Sequence, residues 1–551
     1  MTATAAATRA QLTGASVWLR STAAVPLALY AIALVAGLLV AGLVTFPTNE
    51  GSAYYVAVAR SLATGRGLVI DTMWSYATPP LVLPRPAFEL WQPLASFIAA
   101  AGMAVTGSTL FAAAQVGGVA LGATIAPLTW AITRDAGRAL ELPPRRLNTL
   151  AVGAALLSIT LAPFVLAITV PDSTLPFLVF GTLACWLAPR ALEGRSLAAL
   201  ALGAALGLAY LARHEAVYIG LVIVTAMAVG RRDSLATILR RLGPVVIGGL
   251  VMIGPWLLRN AAVFGTPFPG QALDNALLTS NEQIYAYSGR PTFAEFLGQG
   301  PAQLAANIVS GTTHNLVNVL LLLAMPVGLV GLVSVALLMR GRRLPAGPLL
   351  FLLASGGVTF AIASLVFPVA SRWGTFQHAA GPFIVGLTVA AVLGADRLVE
   401  WVGRKRRWQR ANTWLTPLAL SLVALLISGL QLVQLKRDAT SVSDRYAVFA
   451  AAIQSLPEAA APARPVVISD HPLWLADATG LPTLALPAEA PDTLLRLAQD
   501  QHATLILVAE GRDPYPAALR AQPYSACFVE RPLPTSAPAG SALFVIAEEC
   551  R

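Results

Sequence analysis

Five stretches of this 551-residue chain hold ionisable side chains at spacings that suit chemistry. The first reads Phe46-Pro47-Thr48-Asn49-Glu50 and puts a carboxylate just beyond a long apolar run, ahead of Tyr54 and Tyr55. Asp71 follows, then Pro84-Arg85-Pro86-Ala87-Phe88-Glu89. The second stretch is Pro171-Asp172-Ser173-Thr174, between two apolar runs. A carboxylate within reach of a substrate hydroxyl can act as a general base, but Asp172 equally suits a helix cap. Third, Arg213-His214-Glu215 fills a short gap between apolar runs, where three ionisable groups need either mutual pairing or an anionic ligand. Fourth, Arg259 closes the run Gly254-Pro255-Trp256-Leu257-Leu258. Fifth, Arg372 and His378 flank Trp373 and Phe376. Guanidinium groups match phosphate geometry; the alternative for Arg213, Arg259 and Arg372 is snorkelling towards lipid headgroups.

The elements that must position these groups follow from composition. Hydrophobic residues make up 56% of the chain and charged ones 12%, against about 25% charged in soluble domains. With a mean hydropathy of +0.69, this excludes a soluble enzyme, a disordered chain and a fibrous protein. The chain reads as an all-α polytopic membrane protein. Its net charge of +10 does not imply nucleic acid, because the basic residues sit in short clusters between apolar runs. They are nearly all arginine, lysine occurring only at 405 and 436, a bias that with the abundant alanine suggests a GC-rich bacterial genome.

Runs long enough to span, or nearly so, lie at about 23–45, 108–132, 148–170, 173–190, 197–212, 214–229, 243–258, 316–339, 347–369, 377–395 and 413–435, giving eleven helices. The first is too long for a signal-peptide core and reads as a retained anchor. A further apolar segment, 87–106, is broken by Pro86 and Pro93 and carries Glu89. If it does not cross, the arginine clusters at 134–146, 190–195, 231–241, 340–343 and 404–410 all fall in the cytoplasm; if it crosses, all fall outside. The positive-inside bias therefore makes 87–106 a helix lying on the outer interface. The N-terminal tail 1–22 is then cytoplasmic, and the polar features of 46–107, 171–173, 213–215, 259–313 and 371–377 converge on the opposite side of the membrane.

Beyond residue 437 the pattern changes. Strand-like runs at 465–469, 504–508, 526–529 and 543–547 alternate with a helical pattern at 491–501, which predicts a small extracytoplasmic α/β domain over 438–551. Cys527 and Cys550 lie in strand-like runs joined by a Pro- and Gly-rich turn. Antiparallel pairing would bring them together, and the compartment permits oxidation. A disulfide between them is expected.

No Gly-rich phosphate loop, zinc signature or hydrolase elbow occurs, and no residue is assigned as a metal ligand. The cofactor requirement stays open, with a divalent metal possible. A carboxylate after the first membrane helix, a helix of the form Tyr-x-x-x-Ala-Arg-x-x-x-x-Gly (Tyr55, Ala59, Arg60, Gly65), a Pro-bearing interfacial segment and a helix-end Asp together resemble the C-type membrane glycosyltransferases. The branch resembled is that of protein O-mannosyltransferases and lipid A aminoarabinose transferases. The likeness covers about 25–265, and more weakly 370–395. It implies a multi-helix membrane module with two juxtamembrane helices in the first outer loop. It also implies transfer of a sugar from a polyprenyl-phosphate donor to a lipid, glycan or protein acceptor, in the bacterial plasma membrane. Glu50 matches the family's first-loop carboxylate and Asp172 its second-loop aspartate. The family commonly has Asp or Asp-Glu where this chain has Asn49-Glu50, so Asp71 or Glu89 could share the role. The expected site is thus catalytic Glu50, Asp172 and Asp71, with Tyr54, Tyr55, Arg85, Glu89, Arg213, His214, Arg259, Arg372 and His378 binding substrate. A transporter or flippase, or a lipid-linked oligosaccharide ligase, are the competing readings. Internal repeats, common in transporters, are not evident.

Overall fold

A computed structural model describes residues 24–229, 234–270, 273–340, 347–408, 412–460, 464–512 and 514–551. The N-terminal tail 1–22 lies outside the described residues, as do Arg231, Arg232, Arg342, Arg343 and Arg410 of the arginine clusters. Among the described residues, eight helices are long and apolar enough to cross a membrane; the pair Pro144–Thr160 and Ala162–Thr169, bent by 51°, makes a ninth.

Every apolar run falls on helix, though not always as one straight span. The run at 148–170 is the bent pair. Ser196–Ala212, Ala216–Ala228 and Val327–Arg340 are apolar but short of 18 residues. The run at 316–339 is divided between Gly300–Leu323 and Val327–Arg340, so the outer loop predicted over 259–313 gives up its last residues to a helix. Pro326 accounts for the break, since proline cannot donate within a helix. The segment 87–106 is helical only over Leu94–Thr106. Thirteen residues rise about 20 Å, short of the roughly 30 Å hydrocarbon core.

Small residues let the helices approach closely. A side chain at Gly203 would bring its Cβ to 1.9 Å from the Val245 carbonyl oxygen, so only glycine allows Ser196–Ala212 to lie against Leu235–Phe264 at this distance. The helix ends sort by charge. At one end Arg190 pairs with Asp135 at 2.7 Å, and Arg146 pairs with Asp396 and Glu400. The helices Thr174–Leu192 and Ser196–Ala212 lead from there to the other end, where Asp172 and Arg213 stand.

The first outer loop and the tail share one sheet. In chain order the strands are β1 (Val69–Ile70), β2 (Thr72–Met73), β3 (Arg85–Pro86), β4 (Val466–Ser469), β5 (Thr483–Ala485), β6 (Ala503–Val508), β7 (Phe528–Arg531) and β8 (Ala542–Ile546). β1 pairs only with β3; the other six form a sheet in the order β2-β5-β4-β6-β8-β7. β2, β5, β4 and β6 run parallel, with β8 and β7 antiparallel beyond them. The strand-like runs of the tail correspond to β4, β6, β7 and β8; β5 and the contribution of β2 are additional. Cys527 and Cys550, expected to pair, are disulfide-bonded with Cα atoms 5.5 Å apart, just beyond the β7–β8 ladder. The helix Leu415–Gln454 leads into the tail without a break for 40 residues, about 60 Å. Its Tyr446 packs against Trp474 at 5.8 Å between ring centres.

Candidate active site

Two clusters of polar side chains stand along one wall of aromatic rings. The first is built on the helix Glu50–Ala63. Asn49 caps it, its side-chain oxygen accepting from the Ser52 amide at 2.7 Å, which leaves Glu50 in the first turn where the helix dipole favours a carboxylate. The Trp74 indole donates to Glu50 Oε2 at 3.3 Å, and the backbone amide of Leu473 donates to Oε1 at 3.1 Å. His471 Nδ1 stands 3.5 Å from Oε2. Leu473 and His471 come from the tail, at the end of β4 and the start of the helix Pro472–Thr479. Each carboxylate oxygen has two lone pairs, so Glu50 keeps acceptor capacity beyond these bonds.

The tail grips the loop elsewhere too. The Trp474 indole donates to the Pro47 carbonyl, Arg60 pairs with Asp477 at 2.8 Å, and the Tyr76 hydroxyl donates to the Ala485 carbonyl.

The second cluster belongs to the membrane module. Asp172 Oδ1 accepts from the Thr174 amide at 2.7 Å, and Oδ2 lies 3.8 Å from His378 Nδ1. Asp172 thus braces the first turn of the helix Thr174–Leu192 from the position before its N-cap, Ser173. Thr174 also hydrogen-bonds His378, at 2.7 Å. Arg213 pairs with Glu215 at 2.6 Å and donates to the Ser173 hydroxyl at 2.9 Å, and His214 hydrogen-bonds Gln92 at 2.7 Å. Within the Arg213-His214-Glu215 triplet, Arg213 and Glu215 pair with each other and His214 turns to Gln92.

The aromatic wall joins the clusters. From Glu50 it runs through Trp74 and Trp91 (4.6 Å between ring centres) to Tyr54 (4.4 Å) and Tyr55 (6.2 Å). Burial pushes both phenols up, so they stay neutral, and Tyr55 also feels the Arg213 charge and the Ser173 hydroxyl of the second cluster. The Tyr54 hydroxyl accepts from the Phe88 amide at 2.6 Å.

Several expected residues are placed differently. Arg85 is fully buried and donates to the Ser75 and Thr78 carbonyls, with Glu89 at 3.3 Å. This pair fixes the shape of the first loop from within and does not face an open surface. Asp71 is held by both terminal nitrogens of Arg66, at 2.7 and 2.8 Å, beside the sheet edge. Arg259 stacks on Trp256 and Phe264, its guanidinium carbon 4.9 and 5.0 Å from the ring centres. Arg372 is exposed next to Trp373, which lies 6.0 Å from Tyr285. Neither Arg259 nor Arg372 is in an ion pair with a described carboxylate. Among the described residues no group of three or more His, Cys, Asp or Glu side chains is close enough to hold a metal ion.

Sequence reasoning missed His471, Glu510, Arg512 and Tyr285. His471 Nε2 faces Glu510 at 3.5 Å, and the Arg512 guanidinium lies over Tyr285 at 4.5 Å. An Asp-His-Pro triplet directly after a strand-like run was the available signal, since sites in parallel sheets gather at the carboxyl ends of strands.

The architecture has a counterpart among solved structures. ArnT from Cupriavidus metallidurans bound to undecaprenyl phosphate superposes with a TM-score of 0.53, at 14% identity, over 95% of this chain and 98% of that one. The chain has the fold of ArnT. Apo ArnT from the same organism gives a TM-score of 0.52 at 12% identity, over 98% and 99% of the two chains. An oligosaccharyltransferase, AglB from Archaeoglobus fulgidus, gives 0.49 at 11% identity, over 87% and 69%. No family model matches the sequence. No curated protein matches it either. The ArnT likeness runs nearly end to end, so the tail and both membrane halves belong to the shared fold.

Proposed function

We propose that this chain is a membrane glycosyltransferase that moves a sugar from a polyprenyl-phosphate donor to an acceptor on the extracytoplasmic face. The observation that carries the reading is the aromatic wall with a carboxylate cluster at each end and two arginines, Arg259 and Arg372, without carboxylate partners among the described residues. The end-to-end likeness to ArnT, itself solved with undecaprenyl phosphate, supports it. The arginines at the opposite helix ends, Arg146 and Arg190 among them, support an N-in, C-out orientation.

In this reading Glu50 accepts the proton of the acceptor hydroxyl as its oxygen attacks the anomeric carbon. The bond from that carbon to the phosphate oxygen breaks, and the attack from the opposite side inverts the centre. The phosphate departs with its negative charge, so fixed guanidinium groups suit it better than a proton donor would. Asp172, with His378 and the Arg213–Glu215 pair, organises the other end; Tyr54 and Tyr55, expected to bind substrate, are buried and support the wall from behind.

The test is release of polyprenyl phosphate from a panel of synthetic decaprenyl-phosphate pentoses and hexoses by the purified protein. Acceptor-dependent release from at least one member is expected. If Glu50→Gln and Asp172→Asn both leave release intact, the mechanism falls. Impermeant labelling of a cysteine placed at residue 140 from outside would overturn the orientation.

A further inference from the structure

His471 belongs to the tail, yet each of its ring nitrogens faces a carboxylate: Nδ1 is 3.5 Å from Glu50 and Nε2 is 3.5 Å from Glu510. A neutral imidazole has one donor and one acceptor nitrogen, so only the doubly protonated ring suits an acceptor on both sides. The surroundings fit a cation. The ring lies on Trp474 at 5.0 Å between centres, which serves an imidazolium as a π face. Arg445 pairs with the far carboxylate, Glu510. Asp470 is turned away, its oxygens taken by the amides of Ala509 and Glu510 at 2.9 to 3.0 Å. Tyr446 completes the surroundings from the long helix, with its phenol pushed up by burial and by these carboxylates. The helix Pro472–Thr479 adds its own amide at Leu473, so both Glu50 oxygens meet donors from one eight-residue element and the residue before it.

We propose that His471 is a positioning residue for Glu50: its imidazolium, between Glu50 and Glu510, holds the Glu50 carboxylate in its orientation, so that the base is in place only when the tail is docked. This rests on the reading of Glu50 as the base. Burial alone would discharge the ring, but the two carboxylates outweigh it and push His471 up to about 10. Glu510 is held at about 2, chiefly by its contact with His471. When Glu50 takes the acceptor's proton it becomes neutral, and the imidazolium keeps its second partner in Glu510. The histidine therefore stays anchored through the proton transfer.

The test uses the full-length protein in lipid nanodiscs and hydrogen–deuterium exchange at the Leu473 amide, whose acceptor is Glu50, read by mass spectrometry at pH 7. His471→Gln should speed exchange about tenfold or more, and His471→Arg, which keeps the positive charge, should restore protection. A merely structural histidine would not be rescued by charge alone. Equal exchange in wild type and His471→Gln overturns the proposal. So does a carbon-13 histidine spectrum of the wild-type protein showing His471 neutral at pH 8, a measurement that needs no variant to fold. If exchange depends on His471 while Glu50→Gln still releases polyprenyl phosphate, the positioning stands and the assignment of Glu50 as base fails.

Discussion

Glu50 and Asp172 are both carboxylates near the start of a helix at the same end of the membrane module, yet they are held in opposite ways. Asp172 takes its partners from its own neighbourhood and from an adjoining part of the membrane module: the Thr174 amide and His378. Glu50 takes two of its three from the tail, His471 and Leu473, the latter 423 positions away in sequence. The difference teaches that one half of the site is built when the membrane helices pack, and the other half only when the tail closes over it.

The comparison can be broken most directly by neutralising the two carboxylates in turn. Glu50→Gln should cut transfer by ~10²-fold or more with donor binding largely kept, because it removes a general base while preserving shape. Asp172→Asn keeps an oxygen to cap Thr174 and should lose less, with the change falling mainly on KM for the donor. Reversal of that order in steady-state kinetics would exchange the roles of the two clusters.

A second experiment addresses how the membrane half is built. Arg213→Gln strands Glu215, which is 8% exposed, without its counter-ion, and breaking such a pair costs ~3–5 kcal/mol. A lowered melting temperature in detergent is expected, whether or not the tail is docked.

The tail half should instead respond to pH. His471 is raised from its ordinary 6.5 to about 10, so its contribution is complete below pH 6.5 and fades as pH climbs through 10. Glu510 is lowered from 4.5 to about 2, so its contribution is complete above pH 4.5 and is lost as pH falls through 2. The melting-temperature difference between wild type and His471→Gln should therefore be widest between pH 4.5 and 6.5 and close towards pH 10. A difference that is flat across this range would detach the histidine from the docking.

The smallest effect is expected at the rim. Arg60 and Asp477 join the same two regions, but Arg60 is 37% exposed, and such pairs are worth ~0–1 kcal/mol. Arg60→Ala should shift the melting temperature only slightly and leave transfer near wild type.

What was legible in the sequence follows the same division. The membrane helices could be read from apolar runs, and Glu50 and Asp172 from their places at the ends of those runs. The disulfide could be read from two strand-like segments and the turn between them. Arg85 misled because its partners are the carbonyls of Ser75 and Thr78, and carbonyls leave no mark on residue type. Strand β5 is three residues long, and β2 becomes a strand only by pairing with it, so neither has a pattern of its own. For His471 the Asp470-His471-Pro472 triplet marks a strand end, but its partner Glu50 could not be read, because that contact depends on a docking that brings together residues from opposite ends of the chain.

The unbroken helix Leu415–Gln454 turns this docking into a matter of phase and height. Each residue of an α-helix advances the chain by 1.5 Å and turns it by about 100°. One residue inserted midway, near Gln434, would swing everything beyond it a quarter turn or more about the helix axis and carry His471 off Glu50. Inserting a whole turn would restore the azimuth but lift the tail by about 5 Å, enough to part the ladder between β2 and β5. The helix thus acts as a ruler as well as a tether: its residue count sets the level above the membrane at which the two halves meet.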